Sequence, residues 1–249
     1  MLCERIYNHF KQDVYINRHI KYIAFLFAMF LAITIFHINQ PKNNSNGSWI
    51  WSHNKLSDAI DTDVLYIMQG AISKVDNINQ FYNQGLRARF IDKNVYLVLR
   101  MNTLDDSDDF LNLIDNLIWQ WEIKGTTILG IQLDYDSATL KLASYATKLE
   151  TIRSKLPSKY KLSITGLMDW LVSGNISELE SISNFTDEIV FQLYQINNYY
   201  NLNQAFVAFN KATFDFKVGL LNNHHENSTI VNNLRELPNF TGYIKFIIK

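Results

Sequence analysis

Asp134 and Asp136 stand two residues apart at the end of an apolar segment and are the residues best suited to acid–base chemistry. The segment from Thr127 to Leu133 is rich in apolar and β-branched residues, which favours a buried strand. Side chains alternate along a strand, so Gln132, Asp134 and Asp136 share one face. At ~3.3 Å per residue the two aspartate backbones are roughly 6–7 Å apart, close enough to share a substrate.

Each carboxylate also has a structural alternative. Ser137 opens a long helical pattern, and acidic residues are favoured at helix N-termini, so Asp136 could cap that helix. Asp134 lies deeper in the strand, where an unpaired carboxylate is costly to bury. Asp134 is therefore harder to explain by capping, while both interpretations of Asp136 stay open.

The elements that would position these aspartates alternate regularly. Short apolar segments predict eight strands, at 49–51, 64–70, 95–101, 128–134, 162–167, 188–194, 217–221 and 243–248. Helical periodicity predicts helices at about 55–60, 108–122, 137–156, 178–184, 204–212 and 229–237. This alternation predicts an α/β fold, a (β/α)8 TIM-type barrel. The short first helix, and a last strand with no predicted helix after it, indicate a barrel that is incomplete or irregular at its seam.

In such a barrel the active site lies where the carboxyl ends of the strands open into loops. Polar and aromatic side chains at the predicted strand ends should therefore meet Asp134 and Asp136 there. They are Trp51, Arg100, Gln132, Thr165, Asp169, Trp170, Gln192 and Tyr194. Because amides and carboxylates bond hydroxyl groups while aromatic rings stack on apolar sugar faces, this mouth predicts carbohydrate binding.

Ordinary packing could explain part of the same pattern. Arg100 and Asp134 would be neighbours on adjacent strands, and an ion pair between them could simply fix the barrel. Trp119, Trp121 and Trp170 could each be core residues between a helix and the sheet.

Other kinds of chemistry are disfavoured. The formal charge is -1, from 23 basic and 24 acidic side chains, without the basic surplus of a nucleic-acid binder. The single cysteine, Cys3, permits no intramolecular disulfide. His224 and His225 point in divergent directions with no third ligand at a suitable spacing, so no metal is expected. Glycine-rich nucleotide loops and a serine-nucleophile elbow are absent from the sequence, and no cofactor is expected.

The amino-terminal region predicts a membrane anchor. Residues 22–38 contain no formally charged residue and follow a basic lead at residues 1–21, which should remain in the cytoplasm. A polar linker at 39–48 would join this uncleaved anchor to a barrel domain at 49–249. We expect a single-pass inner-membrane protein whose carboxyl-terminal domain faces the periplasm. A buried core helix is the alternative, although such helices usually show a polar face.

Three separated motifs, in order, resemble the bacterial family called domain of unknown function 3142 (DUF3142). They lie at 129–139, 162–170 and 190–195, and the resemblance extends to residues 98–100. It covers nearly all of the chain after the linker. The resemblance implies a barrel-like fold in an exported or membrane-anchored domain.

Residues 130–136 are more distantly similar to the fourth-strand motif of chitinase-type glycoside hydrolases, Asp-Gly-x-Asp-x-Asp-Trp-Glu. The similarity implies that Asp134 orients the substrate, that Asp136 takes the place of the acid glutamate, and that Tyr194 falls near a sixth-strand tyrosine. Gln132 replaces an aspartate and Asp136 is one methylene shorter than glutamate, which weakens proton delivery to a glycosidic oxygen.

The leading hypothesis is a periplasm-facing barrel that engages a glycan, either as a hydrolase with Asp136 as acid and Asp134 as orienting carboxylate, or without catalysis as a glycan-binding or protein-scaffolding domain. In the hydrolase, Arg100 would hold Asp134 ionised while a less solvated Asp136 kept its proton. A third interpretation treats the polar mouth as packing alone.

Overall fold

The computed structural model describes residues 46–51, 56, 62–193, 202–221 and 229–247. By its contacts the chain divides into residues 1–43 and 44–249, and all described residues belong to the second unit. No helix in this described part is long and apolar enough to span a membrane. The predicted anchor at 22–38, most of the predicted first helix at 55–60, and His224 and His225 fall outside the described residues.

Nine strands form one sheet. They are β1 (Gly47–Ile50), β2 (Val64–Val75), β3 (Ile78–Asn83), β4 (Asn94–Met101), β5 (Thr127–Asp134), β6 (Lys161–Leu167), β7 (Glu188–Gln192), β8 (Phe216–Leu221) and β9 (Phe240–Phe246). The order is β1-β9-β8-β7-β6-β5-β4-β2-β3, and β1 also pairs with β2. Eight parallel strands therefore close into a barrel, with β3 as an antiparallel addition to β2. The barrel predicted from the sequence is confirmed.

Helices cover the outside of this barrel. The described ones are α1 (Asp108–Glu122), α2 (Leu142–Lys155), α3 (Met168–Ser173), α4 (Ile176–Phe185), α5 (Leu202–Phe209) and α6 (Thr229–Arg235). The clearest, α1, starts where Ser107 accepts a hydrogen bond from the Phe110 amide, with Asp108 and Asp109 in its first turn. Its buried face includes Ile114 and Trp121, which pack in the large core between sheet and helices.

Between β2 and β4 the sequence expectation of strict strand–helix alternation is wrong. Residues 76–93 are all described and contain β3 but no helix. Asp76 and Asn77, with φ of 49° and 64°, form the two-residue turn of a hairpin, because Asn and Asp tolerate left-handed backbone. As a result β2 continues to Val75, five residues beyond its predicted end.

Inside the barrel, side chains from alternate strand positions form a second, smaller cluster, which includes Trp49, Tyr66, Val98 and Phe246. The strand β5 approaches β6 closely at Gly130, where an added Cβ would lie 1.9 Å from the Lys161 carbonyl oxygen. Glycine at this position therefore permits the close approach of the strand that carries Asp134.

Candidate ligand site at the barrel mouth

One guanidinium bridges the two aspartates. Arg100 and Asp134 are direct partners in the register of β4 and β5, so their side chains lie on the same face. Arg100 Nη1 donates to Asp134 Oδ2 at 3.0 Å, and Nη2 donates to Asp136 Oδ2 at 2.6 Å. The expected pairing of Arg100 with Asp134 is confirmed.

Asp136 does not act as a helix cap. After β5 the chain forms one turn of 3-10 helix at Thr139–Lys141, whose N-cap residue is Ala138, with no side-chain capping bond. The α-helix starts only at Leu142. The capping interpretation of Asp136 is therefore wrong, and its carboxylate is directed to Arg100.

Asp134 is almost fully buried and bonded on both oxygens. The residue is 2% exposed. Besides its Arg100 contact, its Oδ1 accepts from Thr165 Oγ1 at 2.8 Å and from Gln192 Nε2 at 3.2 Å. Three strands therefore fix the orientation of Asp134, which in turn fixes Arg100.

Burial raises the pKa of Asp134 above its ordinary value of 3.8. The charge of Arg100 and the hydrogen bonds from Arg100 and Thr165 act in the opposite direction, while the nearby Asp136 carboxylate raises the pKa further. For Arg100, burial lowers the pKa, but the two carboxylates outweigh burial and raise it overall. The guanidinium therefore remains charged.

The solvation of the two carboxylates is the reverse of the expected order. The Asp134 side chain is 3% exposed and the Asp136 side chain is 42% exposed. Asp136 lies two residues after the end of β5, past the rim of the barrel, so water reaches its side chain. The expectation of a less solvated Asp136 is corrected, since the buried carboxyl is Asp134.

We expect the substitution Asp134→Asn to change how stability depends on pH. Because the folded-state pKa of Asp134 is raised, its contribution to stability is fully present below about pH 4 and is lost as pH rises through the folded-state pKa. Asparagine does not titrate. The stability of the wild type relative to the variant should therefore fall as the pH rises above about 4, as measured by urea denaturation. A difference that instead grows with pH would mean that Arg100 outweighs burial.

A second polar cluster lies deeper in the barrel. Glu188 accepts from Tyr66 Oη at 2.8 Å and from Ser163 Oγ at 2.8 Å, and pairs with Lys217 Nζ at 2.8 Å. Gln132 Nε2 donates to Ser163 Oγ at 2.9 Å, which joins this cluster to β5. Burial, followed by the Glu188 charge, raises the pKa of Tyr66 well above its usual value, so its hydroxyl is held as a donor.

The remaining predicted residues fall in different places. Trp51 is 48% exposed just after β1, with its ring edge-on to Trp49 at 5.8 Å. Asp169 is exposed in the first turn of α3. Tyr194 lies outside the described residues. Thr165 and Gln192 both donate hydrogen bonds to Asp134.

Two predicted binding residues belong to the interior instead. Trp170 is fully buried, donates from Nε1 to the Ser137 carbonyl at 2.8 Å and packs in the core outside the barrel. Gln132 is 1% exposed and belongs to the deeper cluster. Both assignments to a ligand-contacting surface are corrected, because hydrophobic and hydrogen-bonded partners already cover these side chains. Trp121 is buried in the core, as the packing interpretation predicted. Trp119 is 58% exposed, so that interpretation does not apply to it.

The sequence did not lead us to predict that Glu188, Lys217 and Tyr66 form a polar cluster inside the barrel. A signal was present, because Glu188 occupies the same face of its strand as Gln192, and Lys217 lies within a buried strand. Ionisable residues facing the inside of a barrel must find partners there, so opposite charges on neighbouring strands predict a pair. Among the described residues, no group of three or more potential metal ligands occurs.

A family model matches part of the chain. Residues 93–206 match the family model "Domain of unknown function (DUF3142)", which confirms the resemblance to that family over these residues. No curated protein gives a significant sequence match.

Several solved structures resemble this chain at low sequence identity. The xylanase-alpha-amylase inhibitor protein XAIP-I, in complex with trehalose, has a TM-score of 0.55 and 13% identity, over 82% of this chain and 93% of that one. XAIP-II from Scadoxus multiflorus has a TM-score of 0.54 and 14% identity, over 81% and 92%. The spore cortex-lytic enzyme SleL of Bacillus cereus reaches 0.40 at 13% identity, over 73% and 52%. The two inhibitor proteins therefore share the barrel fold with this chain.

Proposed function

We propose that this barrel binds a carbohydrate at its mouth. The observation that carries the proposal is the bridge of Arg100 between Asp134 and Asp136. It places a cation and an anion, 31% and 42% exposed, side by side at the open end of the barrel. Sugar hydroxyl groups both donate and accept hydrogen bonds, so they can bond both groups at once.

The bonding capacity of the bridge supports this proposal. A guanidinium carries five N–H donors, and among the described residues Arg100 uses two, one for each aspartate. Three donors are thus available to ligand oxygens, beside Asp136 Oδ1 as an acceptor. The exposed ring of Trp51 supplies an apolar surface on which a sugar can stack.

Hydrolysis is the second candidate, with Asp136 as acid and Asp134 as orienting carboxylate. It is favoured by the convergence of two carboxylates on one site, the arrangement that glycosidases use. It ranks below binding because Asp136 Oδ2 already accepts from Arg100 at 2.6 Å. A proton for a glycosidic oxygen would have to be held on Oδ1.

The test is a combined binding and hydrolysis screen of the full chain. Trehalose, chitooligosaccharides and peptidoglycan fragments are the probes, with Asp136→Asn in parallel. We expect binding of at least one probe with no turnover by either protein, and a modest loss of affinity in the variant. Turnover abolished by Asp136→Asn would establish the hydrolase instead, whereas no response to any glycan would contradict the proposal.

We further propose that residues 22–38 anchor the barrel in the inner membrane, with the barrel in the periplasm. The support is the uncharged apolar sequence of this segment and its basic lead. The full chain should then stay in the membrane fraction after alkaline carbonate washing and should be digested by protease added to the periplasmic side. Release by carbonate would contradict the anchor without affecting the proposal of glycan binding.

A further inference from the structure

The hairpin formed by β2 and β3 continues the face on which Arg100 and Asp134 lie. In the sheet register Tyr82 pairs with Ala71, Ala71 pairs with Arg100, and Arg100 pairs with Asp134. Directly paired residues project from the same side of a sheet. At ~4.8 Å between strands, the Tyr82 backbone is about 10 Å from that of Arg100, with only the small Ala71 between them.

A β-bulge at Gln69 produces this alignment. Met68 pairs with Val98, but Gly70 pairs with Leu99, so Gln69 is the extra residue in β2. Met68 faces the barrel interior, and simple alternation would place residue 70 inward and Ala71 outward. The extra residue shifts the alternation by one and turns Ala71 inward.

The side chain of Gln69 holds the bulge. Its Nε2 donates to the carbonyls of Ile67 and Met68, both at 3.2 Å, and its Oε1 accepts from Trp121 Nε1 at 2.9 Å. The amide of Gly85 donates to the Gln69 carbonyl at 3.1 Å, which ties the end of the hairpin to the same point. An added Cβ on Gly85 would lie 1.6 Å from the Met68 carbonyl oxygen, so glycine is required there.

The other face of the hairpin confirms its orientation. Ile72 and Phe81 are paired with each other and both pack against the outer core. The residues that alternate with them must therefore project toward the space above the mouth. We call this surface the hairpin face, and it consists of Ala71, Ser73, Val75, Ile78, Gln80 and Tyr82.

The hairpin face has the composition of a sugar-binding surface. Tyr82 is 40% exposed and donates from its hydroxyl to Gln80 Oε1 at 2.9 Å. Asn102, two residues after Arg100, donates from Nδ2 to Ser73 Oγ at 2.7 Å. The face thus presents an aromatic ring with an amide and a hydroxyl beside it, in fixed positions.

We propose that the hairpin face is an additional subsite, so that the protein binds an oligosaccharide extending from Arg100 to Tyr82 rather than a single sugar. This inference rests on the proposed binding of carbohydrate at the mouth. One sugar unit lies against Arg100 and Asp136, and a later unit stacks on Tyr82 with hydroxyl groups bonded to Gln80 and Asn102. The continuous register from Tyr82 to Asp134 provides one uninterrupted surface for the oligosaccharide.

The test compares short and long members of whichever glycan series binds, for example chitooligosaccharides of increasing length, by calorimetry with the full chain. We expect wild-type affinity to increase with length and Tyr82→Ala to lose roughly 5- to 10-fold for the long ligand only. Tyr82→Phe keeps the ring and should retain most of the affinity. Lys74→Ala is the matched control, because Lys74 is exposed on the opposite face of the same hairpin.

The outcomes separate this subsite from the mouth. Equal affinity for short and long ligands, or no effect of Tyr82→Ala, would overturn the subsite while leaving the mouth intact. Absence of binding by any length would overturn the proposed function itself. An equal loss in Lys74→Ala would mean that the hairpin acts through its stability, and would also overturn the subsite.

Discussion

Replacing Glu188 with alanine is expected to destabilise the protein by about 3–5 kcal/mol, the usual effect of removing one partner from a buried ion pair. The Glu188 and Lys217 side chains are 10% and 7% exposed and lie 2.8 Å apart. Without the carboxylate, Lys217 would be a buried cation beside Tyr66, whose hydroxyl would lose its acceptor. Chemical denaturation monitored by circular dichroism measures the change in free energy of unfolding.

Two further variants make this result interpretable. The double variant Glu188→Leu/Lys217→Met replaces both charges with apolar groups and should recover most of the lost stability. Asp106→Ala is the control, because Asp106 pairs with Lys148 on the surface, with side chains 32% and 37% exposed. Its loss should stay below about 1 kcal/mol. Equal losses for Glu188→Ala and Asp106→Ala would show that the deep pair is effectively solvated.

Arg100→Gln should remove most of the affinity for a carbohydrate ligand, by roughly 10- to 100-fold, as expected for the loss of charge-assisted hydrogen bonds. The substitution removes the donors offered to the ligand. It also leaves Asp134 and Asp136 facing each other without a shared cation. Titration of wild type and variant with the ligand found in the screen measures the effect.

The matched control for this variant is Arg87→Gln, an exposed arginine in the segment between β3 and β4. It should bind as the wild type does. Arg100→Lys retains the charge but not the fork geometry that contacts two carboxylates at once, so its affinity should be intermediate. Unchanged affinity in Arg100→Gln would show that the ligand does not bind at the Arg100 bridge.

The eight barrel strands could be predicted from the sequence because each is a short apolar segment bounded by polar residues. The pairing of Arg100 with Asp134 followed from alternation, since both positions face inward on neighbouring strands. The β2–β3 hairpin did not follow, because the segment after Gly70 is only weakly apolar and its turn, Asp76-Asn77, lacks the glycine of the strongest hairpin signals.

Solvation could not be predicted from spacing alone. Asp134 and Asp136 share a face, but β5 ends at Asp134, so Asp134 is enclosed by the barrel while Asp136 is exposed to solvent at its mouth. Trp170 was misplaced for a related reason. The chain turns directly into α3 after Leu167, and this turn carries the indole into the core rather than toward the mouth.

The closure of the barrel by β1 sets an order for folding during synthesis. Asn46 Oδ1 accepts from the Tyr243 amide, 197 positions further along the chain, and β1 pairs with both β2 and β9. At roughly 5–20 residues per second, the ribosome needs about 10–40 s to make the intervening chain. During that time β1 can pair with β2, but its other edge has no partner, because β9 has not yet been made. The barrel can therefore close only after its last strand has been synthesised.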